Sequence, residues 1–132
     1  MPLYAFPGGI PVGSFDNLAG TPNVISLTAQ AAGNSQNGFI APSDYILVTA
    51  ATAGNLSVTL PDPNKYGGTP GDLFTVVNGA SGQTLNVFPP TGGNISGAGA
   101  NTAATIANNK TSQFRLVSYT ATTSVWTSMA GA

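Results

Sequence analysis

The sequence predicts an all-β domain, a single small β-sandwich or β-barrel carrying an extended N-terminal arm. Three observations predict it. Short runs of aliphatic, β-branched and aromatic residues recur with period two, clusters of Gly, Pro, Asn and Ser bound each run, and no window holds apolar residues at the 3.6-residue spacing of a helix. At 132 residues the chain has the size of one domain, which buries roughly two thirds of the surface its unfolded form exposes.

Residues 1–22 read as the arm and residues 23–132 as the β-domain. Pro2, Pro7, Pro11 and Pro22, with Gly8, Gly9, Gly13 and Gly20 between them, exclude a helix from the arm. The same stretch holds Leu3, Tyr4, Phe6, Ile10, Val12 and Phe15, followed by Leu18. That is too much apolar surface for a solvated tail, so the arm is expected to dock on something. Leu3, Tyr4, Phe6, Ile10, Val12 and Phe15 are the candidate partner-binding residues.

Seven strands follow in order: Val24 to Thr28, Tyr45 to Thr49, Asn55 to Leu60, Leu73 to Asn78, Thr84 to Phe88, Ser112 to Tyr119 and Val125 to Met129. The third alternates most cleanly, with Leu56, Val58 and Leu60 expected on one face and Ser57 and Thr59 on the other. "LFTVVN" and "TLNVF" are separated by "GASGQ", a glycine-containing connection of hairpin length, so a hairpin is predicted there. Pro89 and Pro90 end its second strand, because proline cannot donate to a ladder. The stretch "TGGNISGAGANTAAT" is then a long glycine-rich excursion, of the kind that is functional or covered by a partner.

Charge is the strongest compositional signal. Only 5% of residues are charged, against about 25% in ordinary globular chains. Asp16, Asp44, Asp62 and Asp72 face Lys65, Lys110 and Arg115, for a net charge of -1. Three scattered cations form no basic patch, which excludes the phosphate neutralisation that nucleic-acid binding needs and the attraction to an anionic membrane. So little charge gives little repulsion between copies and favours a protein that lives in an assembly.

Histidine, glutamate and cysteine are absent. The four aspartates stand beside Asn, Ser, Pro or Gly, where Asp bonds the backbone of turns, so turn and cap roles are expected of them. "DPNKYGGTPGD" has the oxygen-rich look of a calcium loop but lacks EF-hand spacing and its closing Glu. Serine and threonine have no imidazole to activate them. "SGAGANT" places Thr102 where a dinucleotide fingerprint requires glycine. The sequons at Asn55, Asn94 and Asn109 are of the number that composition alone supplies. No enzyme, cofactor or metal is therefore predicted. Phe74, Phe114 and Trp126 lie in strand runs and are expected in the core. No apolar run has signal-peptide or membrane-spanning length, so synthesis in the cytoplasm without export is expected.

From "LSVTLPDP" through "GDLFTVVNGASGQTLNVFPPTGGNISG" and "AATIANNKTSQFRLVS" to "SVWTSM", roughly residues 55 to 129, the chain resembles a module common in structural proteins of tailed bacteriophages. The shared grammar is a strand ending in Leu-Pro, a Gly-Asp turn into a strand ending in Asn, and a Gly, Asn and Ile-rich loop. A Lys-Thr turn, an aromatic-bearing strand and a closing strand with Trp complete it. The resemblance implies a virion component, a head decoration or cement protein on the outer surface of the capsid, made in the host cytoplasm. Its partners would be the major capsid protein and further copies of itself. A homotrimer on local three-fold positions is preferred to a dimer on two-fold positions. The alternative from another class is a carbohydrate-binding or receptor-binding module of a head fibre or tail protein.

Overall fold

A computed structural model describes residues 23–27, 39–40, 44–51 and 57–130. The N-terminal arm, and with it Leu3, Tyr4, Phe6, Ile10, Val12 and Phe15, lies outside the described residues. The described residues form ten strands: β1 (Asn23–Leu27), β2 (Phe39–Ile40), β3 (Tyr45–Ala51), β4 (Ser57–Thr59), β5 (Leu73–Asn78), β6 (Leu85–Phe88), β7 (Asn94–Ile95), β8 (Ala104–Ile106), β9 (Lys110–Tyr119) and β10 (Ser124–Ala130). One four-residue helix, α1 (Pro63–Tyr66), is the sole helix among the described residues. The chain is all-β.

The strands form a six-stranded sheet in the order β1-β3-β5-β9-β10-β7 and a four-stranded sheet in the order β2-β4-β6-β8, neither closed on itself. From β1 to β8, consecutive strands alternate between the two sheets. Within each sheet the early strands pair in parallel: β1 with β3, β3 with β5, β2 with β4 and β4 with β6. The chain thus winds as a coil that lays one strand in each sheet per turn. Antiparallel pairing enters where β9 joins β5, β10 joins β9, and β8 joins β6.

This winding corrects the predicted hairpin. β5 and β6 are both present, but they lie in different sheets and do not pair. The residues between them turn a corner organised by Asn78, whose side chain is fully buried. Its Nδ2 donates to the carbonyls of Gln83 at 2.8 Å and Ile106 at 2.9 Å, and its Oδ1 accepts from the Ala80 N–H at 3.1 Å. A five-residue glycine-containing connection suits a hairpin and a sheet-to-sheet corner equally well. The true hairpin is β9–β10, closed by Thr120 N–H donating to the Thr123 carbonyl at 2.9 Å and by the two threonine hydroxyls at 2.8 Å.

One apolar cluster draws on both sheets. Ile46, Val48, Val76, Ile95, Phe114, Leu116 and Trp126 come from the larger, Val58, Leu85, Val87 and Ile106 from the smaller, and Leu60 and Ala80 join from the connections. Phe114 and Trp126 are in the core as predicted. Phe74 is half-buried against that cluster, its ring edge-on to Trp126 with centroids 5.8 Å apart.

β4 departs from the expected two-faced strand. Ser57 and Thr59 are buried along with Val58 and Leu60, so both faces of β4, which lies between β2 and β6, are covered. The predicted turn chemistry at Asp62 is visible as a helix cap: its Oδ1 accepts from Asn64 N–H at 2.9 Å, Pro63 opens α1, and Gly67 closes it in the left-handed conformation. Asp72 Oδ2 likewise accepts from Thr69 N–H at 2.8 Å.

Candidate interaction surface

Strand alternation sends one set of side chains from the six-stranded sheet into the core and the other set outward. Along β3, Ile46 and Val48 are buried, leaving Tyr45, Leu47 and Thr49 outward; along β5, Val76 and Asn78 are buried, leaving Leu73, Thr75 and Val77. β9 buries Ser112, Phe114 and Leu116 and turns Thr111, Gln113 and Arg115 out, and β10 buries Ser124 and Trp126 and turns Val125, Thr127 and Met129 out. A register shift between Val125 and Trp126 sets Val117 of β9 as a bulge, 46% exposed.

The registers arrange these residues in cross-strand rows. One row runs Tyr45, Thr75, Gln113, Met129; a second runs Leu47, Val77, Thr111; a third runs Leu73, Arg115, Thr127. A sheet face left to solvent ordinarily places polar residues outward. Here seven of the outward residues are apolar or aromatic, Tyr45, Val117 and Met129 exposed and Leu47, Leu73, Val77 and Val125 partly buried, and Arg115 alone is charged. Met129 is 68% exposed and Tyr45 is 45% exposed, which is costly for side chains of that size in water. Arg115 is oriented by its Nη1, which donates to the Gly71 carbonyl at 3.1 Å.

A second exposed group sits where α1 meets the β9–β10 turn. Asn64 Nδ2 donates to the Thr120 carbonyl at 2.5 Å, and the Tyr119 hydroxyl donates to the Gly68 carbonyl at 3.0 Å. These bonds staple the α1 loop to the turn. Tyr66 is 54% exposed beside them, with Lys65 Nζ 5.5 Å from its ring centroid.

The glycine-rich excursion is folded upon itself. It contains β7, which pairs in parallel with β10. Asn101 closes it twice, its N–H donating to the Gly93 carbonyl at 2.8 Å and its Oδ1 accepting from the Gly92 N–H at 2.7 Å. Residues 96–102 at its tip are all exposed, uncharged and without an aromatic ring.

Among the described residues no three His, Cys, Asp or Glu side chains gather as a metal centre would require, and no helix is long and apolar enough to cross a membrane. Asp62 and Asp72 are engaged with turn backbone. The partner-binding residues expected from the sequence all fall in the undescribed arm, so none of them is placed on this surface. The outward sheet face went unread in the sequence. Its signal is the loss of alternation in "YILV" and in the "VV" of "LFTVVN", where both faces of a strand are apolar. Compared with protein-family models, with curated proteins and with solved structures, the chain finds no match in any of the three.

Proposed function

We propose that this chain is a structural component of a tailed-phage head, a decoration protein that binds the outer surface of the assembled capsid and stabilises it by bridging capsid subunits. The supporting observation is the outward face of the six-stranded sheet, broad, apolar-rich and bearing one charge, which suits burial against protein better than lasting exposure to water. The sequence resemblance over residues 55 to 129 gives that contact its setting. In this reading the two sheets pack as an open sandwich, and residues 1–22 form an extended arm whose Leu3, Tyr4, Phe6, Ile10, Val12 and Phe15 contact a neighbouring protomer or the shell.

The proposed role is mechanical. A cement protein binds the assembled shell and not the free subunit, so it contributes by mass action on the bound state. Several weak contacts from one closed homo-oligomer, a trimer in preference to a dimer, combine through effective concentration. No catalytic group, cofactor, nucleic acid or membrane enters this role. The test is co-sedimentation of the purified protein with undecorated capsids, with thermal challenge of the shell. Saturable binding at a stoichiometry matching the symmetry axes, with a raised shell melting temperature, is expected; absence of binding removes the reading.

Exposed Tyr66, with Lys65 over its ring and with Tyr119 of β9 bonded to Gly68 in the same loop, favours one second reading, a carbohydrate-binding or receptor-binding module of a fibre or tail. Glycan-array binding lost on Tyr66→Ala or Tyr119→Ala would move the proposal there.

A further inference from the structure

We propose that the outward face of the six-stranded sheet is the seat of the N-terminal segment, residues 1–22, of a neighbouring copy of this chain. The inference rests on the assembly reading above and names the occupant of the face.

The first support is size. The four strands β3, β5, β9 and β10 present a face about 20 Å wide and about 17 Å long, from the ordinary spacings of a sheet. Two such faces pressed together fall well short of the roughly 800 Å² per partner of a standard interface. A segment anchored in one copy and laid across the next adds its own contact to whatever the bodies bury, and one exchange per copy closes a ring.

The second support is chemical match. The segment is apolar at Leu3, Tyr4, Phe6, Ile10, Val12 and Phe15 and carries a single charge, Asp16. The face is apolar-rich and likewise carries a single charge, of opposite sign, on Arg115. Among the described residues one guanidinium hydrogen bond of Arg115 is spent, at Gly71, and a guanidinium has five N–H donors. Side chain and carboxylate would meet in a setting with no competing ion on either surface.

The third support is reach. The segment runs straight into β1, the edge strand of this same sheet, at Asn23 opposite Ile46. Twenty-two residues, if extended, would span about 70 Å, rather more than twice the roughly 30 Å width of six strands. Docking on its own sheet would need less than half of that length, and the surplus would carry the segment to the next copy.

Absence of cysteine makes the test clean. One protein carries Phe6→Cys or Ile10→Cys, a second carries Val117→Cys or Met129→Cys, and the two are mixed under mild oxidation with light scattering on the unlinked samples. The expected result is a disulfide between unlike chains in at least one pairing, from a sample that scatters as an oligomer. A doubly substituted chain that links only within itself, or a set in which no pairing links, overturns the inference. Arg115→Asp is expected to shift the scattering mass to that of a single chain, and Asp16→Arg in the same chain to restore the oligomer; failure of the restoration overturns the pairing of these two charges. The two readings fail separately. Linked copies that ignore capsids leave the exchanged segment standing and remove head decoration, whereas capsid binding by copies that never link does the reverse.

Discussion

The side-chain amide of Asn78, the last residue of β5, donates to the carbonyl of Ile106 in β8 at 2.9 Å and so ties the six-stranded sheet to the four-stranded one. Three hydrogen bonds converge on this one fully buried side chain. Asn78→Leu strands the Ala80 N–H and two carbonyls near the core. Each orphaned group costs about 1–3 kcal/mol, so a loss of several kcal/mol is expected in urea unfolding. Asn78→Asp keeps the acceptor but turns a carboxyl toward two carbonyls, which favours its protonated form in the fold. Its folded pKa then lies above its unfolded one, the native state binds the extra proton, and stability of that variant falls as pH rises between the two. A difference between variant and wild-type urea midpoints that stays constant as pH rises from acidic to neutral would refute this.

Trp126 offers a cleaner coupling. Its indole N–H donates to Ser124 Oγ at 2.9 Å in the core. Ser124→Ala leaves that donor buried and unpaired, for an expected cost of about 1–3 kcal/mol. In a Trp126→Phe background the same serine change should cost markedly less, because no donor remains to be orphaned. Equal costs in both backgrounds would show that the hydrogen bond contributes nothing.

Gly92 and Gly67 separate backbone strain from crowding. Both have positive φ, +82° and +76°. A Cβ on Gly67 meets nothing within 4 Å, whereas on Gly92 it would lie 2.4 Å from the Thr122 carbonyl oxygen. Gly67→Ala is expected to cost about 1–2 kcal/mol, the left-handed penalty alone. Gly92→Ala should cost clearly more and detach the glycine-rich excursion from the β9–β10 turn. Differential scanning calorimetry of the pair reads the difference.

Substitutions on the outward face separate folding from assembly. Val117→Lys and Met129→Lys add a charge to well-exposed positions and are expected to change unfolding free energy by less than about 0.5 kcal/mol. Both should weaken self-association, read by light scattering, and capsid co-sedimentation. Deleting residues 1–16 is expected to abolish capsid binding while far-ultraviolet circular dichroism still reports the β-domain; unchanged binding would detach the arm from function.

Each of the seven runs read as strands in the sequence overlaps a strand of the fold, from Leu73–Asn78, matched residue for residue, to β3 and β9, each two residues longer than read, and β4, half the length read; Thr28, Asn55 and Leu56 lie outside the described residues. Period-two patterning carries that information because it reflects burial on one face. β2, β7 and β8 escaped because two or three residues hold no period, and α1 because Pro63 and Gly67 look like any loop. Pairing was the harder problem. Nothing local in "GASGQ" distinguishes a hairpin from a corner, and the deciding contact, Asn78 to Ile106, spans 28 residues. The outward sheet face was not legible, since its residues are contributed by four strands whose registers no short window contains, and the arm residues singled out in the sequence lie outside the described residues.

The position of β5 has a consequence for the nascent chain. β5 is flanked by β3, made before it, and by β9, made some thirty residues after it. A chain that lacks residues 110–119 therefore leaves one side of β5 without its neighbour, and only their arrival seals that border. Until then the backbone of Leu73–Asn78 is open to any other strand, including that of a sister polypeptide on the same message. Crowded translation would make such mispairing a hazard, and the slow, non-local closure of this ladder would set the pace of maturation.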